Sequence, residues 1–239
     1  MKSEERRALL PNGAELRYIL KRSPRRRTIA LRIDGNGLTV NAPARTPLYR
    51  LEALLADKAG WVRDKLAEML ERQAPRRTWQ DGETLPFLGG HLRLSTLAGK
   101  ARAWPTVVNE QLLTEMADVG DSAAIQAKVL KWYRRQALDH FAERVALYAG
   151  RLGVPLPKLF LSNAASRWGS CNSRGEVRLN WRLIKAAPHL IDYVVAHELA
   201  HLKHLDHSPA FWRTVALIYP DCLAARRELK TCGHLYHGF

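Results

Sequence analysis

The 239-residue sequence predicts an α+β protein: a β-rich N-terminal region with one helix over residues 1–120, then a helix, a short sheet and a helix pair over residues 121–239. Three observations predict it. Apolar residues alternate with polar ones between Leu16 and Val40, the period of half-buried strands. Residues 47–73 and 123–150 switch to helical spacing. A third helical run, Pro188 to Leu202, is almost wholly apolar yet carries His197-Glu198-Leu199-Ala200-His201, with His207 six residues beyond.

In order, Leu16, Tyr18 and Leu20 form one strand set and Ile29, Leu31 and Ile33 a second. Asp34-Gly35-Asn36-Gly37 is a hairpin signal before Leu38-Thr39-Val40, and Pro43 ends what reads as a small β-meander. Its first connection holds Lys21, Arg22, Arg25, Arg26 and Arg27, either a solvated loop or a patch that contacts phosphates. The helix over 47–73 places Leu51, Leu55, Trp61 and Val62 in a core and stops at Pro75-Arg76. Gly89-Gly90 turns a second hairpin over 85–96, Thr106–Leu113 adds a strand, and Gly120-Asp121-Ser122 marks the boundary. The longest amphipathic helix, 123–150, ends at Gly150 or Gly153, with Pro155 and Pro157 beyond. Strands follow at 158–162, 167–171 and 176–180, the last two joined by the turn Asn172–Gly175. No internal repeat is visible in the residue pattern.

Composition narrows the class. Lys and Arg number 38 against 23 Asp and Glu, a formal charge of +15 that attracts polyanions, nucleic acid first among them, although Arg-rich composition alone produces the same balance. No run of eighteen apolar residues and no signal-like N-terminus occur, so a cytoplasmic protein without membrane contact is expected. Cys171, Cys222 and Cys232 are too few and too irregular for a disulfide framework or a CxxC knuckle, and read as reduced thiols. Nothing in the pattern indicates an oligomeric state.

On a helix, residues four apart lie about 40° apart around the axis, so His197 and His201 project from one face and can hold one metal ion. Glu198, beside them, is placed to take a proton from an activated water, and burial raises a carboxyl's pKa toward the range useful to a general base. Ser208-Pro209 reads as an N-cap and first residue of a helix to Ile218, leaving His207 in the turn before it. The HExxHxxxxxH spacing is that of metzincins, which have Gly where this chain has His204; His tolerates positive φ better than most residues. By spacing alone the third ligand is His207, with Glu228 on a later helix, His204 or the tail histidines as alternatives. Two other functions share these features: a metal-dependent nucleotide phosphohydrolase, and a nucleic-acid-associated protein with a structural zinc.

Arg167-Trp168-Gly169-Ser170-Cys171, Leu179-Asn180-Trp181, Tyr193-Val194-Val195 leading into HELAH, and His207-Ser208-Pro209 with Phe211-Trp212 together resemble the YgjP-like metal-dependent hydrolases. The resemblance spans nearly the whole chain; a more distant one is to WLM and SprT-like proteases acting on DNA-associated proteins. It implies a zincin-like domain and a zinc metallopeptidase acting on protein or peptide substrates, with Zn2+ on His197, His201 and His207 and Glu198 as base. Arg167 and Trp168 are candidate substrate contacts, with an ion pair or simple packing as alternatives, and Phe211 and Trp212 are expected to pack as core. The β-rich region would serve as a dock for substrate or nucleic acid.

Overall fold

The computed structural model describes residues 2–10, 13, 15–34, 37–71 and 77–239. The fold is α+β, in two compact units, Met1–Gln73 and Ala74–Phe239. The segment 74–120, grouped with the N-terminal region by its strand pattern, shares the core of the second unit through Trp79, Leu85, Leu94 and Leu112.

The first unit holds β1 (Lys2–Leu9), β2 (Glu15–Ser23), β3 (Ala30–Asp34) and β4 (Gly37–Pro43) in the order β1-β2-β4-β3. The expected meander is not formed, because β2 pairs in parallel with β4 and leaves β3 outside. This register buries Tyr18, Leu20, Leu38 and Val40 on one face. Asp34 pairs with Gly37, but Gly35 and Asn36 of the expected turn lie outside the described residues, as do Pro75 and Arg76 of the expected helix end. Strand β1 was not foreseen; Arg and Glu dominate it, and Ala8 is its one buried residue among those described.

The single expected helix is two, α1 (Leu48–Asp57) and α2 (Ala59–Glu71), separated at Lys58. Leu51 and Leu55 face the core from α1 and Val62 from α2. Trp61, expected in the core, is instead 45% exposed: with Val62 facing inward, its neighbour lies about 100° around the helix.

The second unit repeats the strand order of the first. Strands β5 (Thr84–Phe87), β6 (Gly90–Ala98), β7 (Thr106–Val108) and β8 (Gln111–Met116) run β5-β6-β8-β7, again with the second and fourth parallel. The single strand expected near 106–113 is the β7–β8 hairpin, whose turn residues Asn109 and Glu110 both have positive φ. Glu in that role is not a recognisable turn signal.

Helix α3 (Ser122–Leu152) follows, its Asp121 side chain accepting from the Ala124 N–H and Gly153 ending it in the left-handed conformation. Its buried face, including Trp132, Tyr133, Phe141 and Val145, meets α4 (Pro188–Ala200) and the 3-10 turn Trp181–Lys185. Arg144 of α3 grips Asp192 of α4 through two hydrogen bonds of 2.5 and 2.6 Å. A three-stranded sheet, β10 (Gly169–Cys171), β11 (Val177–Asn180) and β9 (Leu159–Ser162) in that order, leaves β10 at an edge, in contact with α4. Helices α5 (Pro209–Ile218) and α6 (Cys222–Cys232) close the unit.

The β5–β6 turn fixes the start of α4. Leu88 and Gly89 both have positive φ, and their N–H groups donate to Ile184 and Lys185 carbonyls at 2.8 and 3.2 Å. A Cβ on Gly89 would lie 2.8 Å from the Ala187 Cα, one residue before α4. Gly89→Ala should therefore cost about 2–4 kcal/mol of unfolding free energy, through both the clash and the backbone strain. Urea denaturation of wild type and variant checks this.

Candidate metal centre

Helix α4 is buried because Leu190, Ile191, Val194, Val195 and Leu199 surround its axis. Such a helix tolerates polar side chains only where they have partners. His197 and His201 stand one turn apart on it with ring centroids 5.1 Å apart. The chain leaves α4 through a tight turn, with Leu202 N–H donating to Leu199 and both Lys203 and His204 to the Ala200 carbonyl. His204 does not take the left-handed conformation; its carbonyl serves instead as a partner for His201 Nδ1 at 3.0 Å.

Ser208 caps α5, accepting from the Phe211 N–H, and Asp206 accepts from the Ser208 N–H at 3.2 Å. This fixes His207 at the mouth of the turn. Ligand nitrogens of His197, His201 and His207 lie within 4.8 Å of one another, the only cluster of three or more His, Cys, Asp or Glu with metal-ligand spacing among the described residues. Phe211, fully buried, packs its ring 4.9, 4.5 and 4.8 Å from the three imidazoles, and Trp212 lies 5.7 Å from His197.

The donor set fits a cation. His201 donates through Nδ1 to the His204 carbonyl, which leaves the lone pair of Nε2 free. His197 Nε2 and His207 Nε2 stand 3.2 Å apart, and His197 Nδ1 is buried without a partner. Burial first, then His201 and His207, lowers the His197 pKa to about 4, so the imidazole is neutral near pH 7. Neutral imidazoles with converging nitrogens suit zinc or a similar transition metal.

Glu198 is 6% exposed, and burial raises its pKa to about 8, opposed by nearby Arg167. A divalent cation close by would favour its charged form. Gly169 of β10 lies directly against it: a Cβ there would come 2.5 Å from the carboxyl oxygen. That close approach is the physical reason for glycine in the Arg167–Cys171 segment.

Two of the alternative third ligands have partners away from the cluster. Glu228 bonds to His189 Nε2 at 2.8 Å, and His237 stacks on Trp168 at 4.2 Å between ring centroids. Arg167 is exposed near Glu198, whereas Trp168 is covered by the tail.

Sequence reasoning missed that tail. Lys185 is 1% exposed, donating to the carbonyls of Tyr236 at 3.1 Å, Phe239 at 3.3 Å and Gly238, and burial lowers its pKa to about 6. The Phe239 ring packs 5.0 Å from Trp79 and 5.5 Å from Tyr133. No short motif marks a lysine as an anchor for a distant backbone.

Residues 27–232 match the family model described as YgjP-like, metallopeptidase domain, and the chain belongs to this family. No curated protein matches the chain. The solved metallopeptidase zymogen of Pyrococcus abyssi abylysin is 23% identical, over 41% of this chain and 98% of that one, with a TM-score of 0.36, a likeness too slight to bear on the site.

Burial of Glu198 has a measurable consequence in protein stripped of metal. Its folded pKa, about 8, lies above the ordinary carboxyl value of 4.5, so stability falls as pH rises between those values. Glu198→Gln removes that loss while sharing the histidine contributions. The metal-free variant should melt about 5 °C or more above metal-free wild type at pH values beyond 8, and the gap should close toward pH 4.5. Thermal denaturation across the pH series checks this.

Proposed function

We propose that this member of the YgjP-like family is a zinc-dependent peptidase, with the metal on His197, His201 and His207 and Glu198 as its general base. The observation that carries the reading is a buried carboxyl on the same helix as two of three converging imidazoles, one residue from the first. Zinc in such a set polarises a carbonyl and acidifies water, and three protein ligands leave a position open for that chemistry.

The chain's own residues supply the rest. Glu198 accepts the proton of the attacking water at its carboxyl oxygen and returns it to the leaving amine. Phe211 and Trp212 shield one side of the imidazoles from water. Strand β10 presents a free sheet edge beside α4, where an extended peptide can add as a further strand and bring its scissile bond to the histidines. Arg167, exposed near Glu198, is placed to steady negative charge that develops on the substrate. The zincin-like character of the second unit and a protein or peptide as substrate belong to the same proposal.

Glu198→Gln should retain stoichiometric zinc and lose about 10²–10⁴-fold in turnover of a quenched-fluorescence peptide library. Unchanged cleavage by that variant would remove Glu198 from the mechanism. His207→Ala should lose zinc on dialysis; retention equal to wild type would transfer the third-ligand role to another residue.

A further inference from the structure

The first unit carries a built basic surface, and we propose that it binds the sugar-phosphate backbone of nucleic acid. The proposal does not rest on the metal centre. Because β2 and β4 are parallel, with Ser23 opposite Pro43, their C-terminal ends release two turns side by side. In the first, Arg26 N–H donates to the Ser23 carbonyl and Arg25 N–H to Ser23 Oγ, each at 3.3 Å. The second is closed by Thr46 N–H on the Pro43 carbonyl. Arg22 braces it from within the sheet, donating to Ala44 and Thr46 carbonyls at 3.2 and 2.6 Å.

These turns hold arginines rather than burying them. A depression of about 490 Å³ is lined by Arg27, Thr28, Arg45, Thr46 and Arg50, the last in the first turn of α1. Arg25, Arg26, Arg27, Arg45 and Arg50 are exposed and have no carboxylate partner among the described residues. Arg7, Lys58 and Arg63, also exposed in this unit, are paired with Glu15, Asp57 and Asp64. From Arg17 to Arg50 the sequence has nine Lys or Arg and one acidic residue, Asp34. An ordinary solvated face mixes both signs; this one does not.

Guanidinium groups fork onto phosphate oxygens, threonine hydroxyls donate to them, and the first N–H groups of α1 add positive potential. A concave surface receives a strand of phosphates, whereas a flat membrane would meet only its rim. Tyr49, 72% exposed and next to Arg50, offers a ring on which a base can stack.

Fluorescence anisotropy of the full chain with labelled single-stranded DNA, duplex DNA and RNA of about 20 nucleotides tests this. The compared variants are Arg27→Ala/Arg45→Ala/Arg50→Ala and a control, Lys58→Ala/Arg63→Ala/Arg135→Ala, which removes the same charge from paired surface sites. Wild type should bind at about 50 mM salt and weaken with salt, by a slope of about −0.7 to −0.9 per phosphate contacted. The first variant should bind at least about tenfold more weakly with a slope reduced by about 2 to 3, and the control should stay within about threefold. Arg45→Glu alone carries the same comparison if circular dichroism shows the triple variant unfolded. Absence of wild-type binding at low salt, or equal weakening in both variants, overturns the proposal. So does loss of binding to phosphatidylserine vesicles in the first variant with nucleic-acid binding unchanged.

Discussion

Three imidazoles whose ligand nitrogens lie within 4.8 Å of one another, beside a wall of apolar and aromatic side chains, are the constraint on which the second unit depends. Burial depresses the pKa of His197 and of His201, and the Nε2 atoms of His197 and His207 face each other at 3.2 Å. The arrangement is satisfied by a cation. The surroundings hold the histidines in place: α3 clamps α4 through Arg144 and Asp192, the Ala200 carbonyl takes two N–H groups of the exit turn, and the Ser208 cap starts α5 so that Phe211 lies under all three rings.

The metal helix was legible because two independent signals coincide in one stretch. An apolar periodicity that demands burial carries His197, Glu198 and His201, polar groups that resist it, and the Ser-Pro pair marks where the next helix begins. Helix α5 has the bounds that pair predicts, and α3 ends at one of its two candidate glycines. The β strands of 16–40 were visible individually, but their pairing was not. Period-two alternation fixes which face is buried without saying which neighbour is bonded, so β2 against β4 and the recurrence of that order in β5–β8 stayed hidden. Trp61 failed for a related reason, since a helix read as continuous through Lys58 counts every apolar residue toward one face.

Contacts between residues far apart in sequence left no trace. Gly169 is glycine because the Glu198 carboxyl occupies the space of its Cβ, and Lys185 is buried because the final residues fold over it with their carbonyls. Neither reason is local. Charge was legible only in bulk: the total of +15 says nothing of where it gathers, whereas the parallel pair β2–β4 concentrates unpaired arginines on two adjacent turns. The two units thus pose separate physical problems, one of converging lone pairs and one of converging positive charges.

X-ray absorption at the zinc edge of the purified, zinc-loaded protein tests the central claim most directly, because it reads the ligand atoms themselves. The account predicts one zinc per chain, with three imidazole nitrogens at about 2.0–2.1 Å, a light oxygen donor and no sulfur. A spectrum with sulfur ligation, with fewer than three imidazoles, or from a protein that retains no stoichiometric zinc would contradict it.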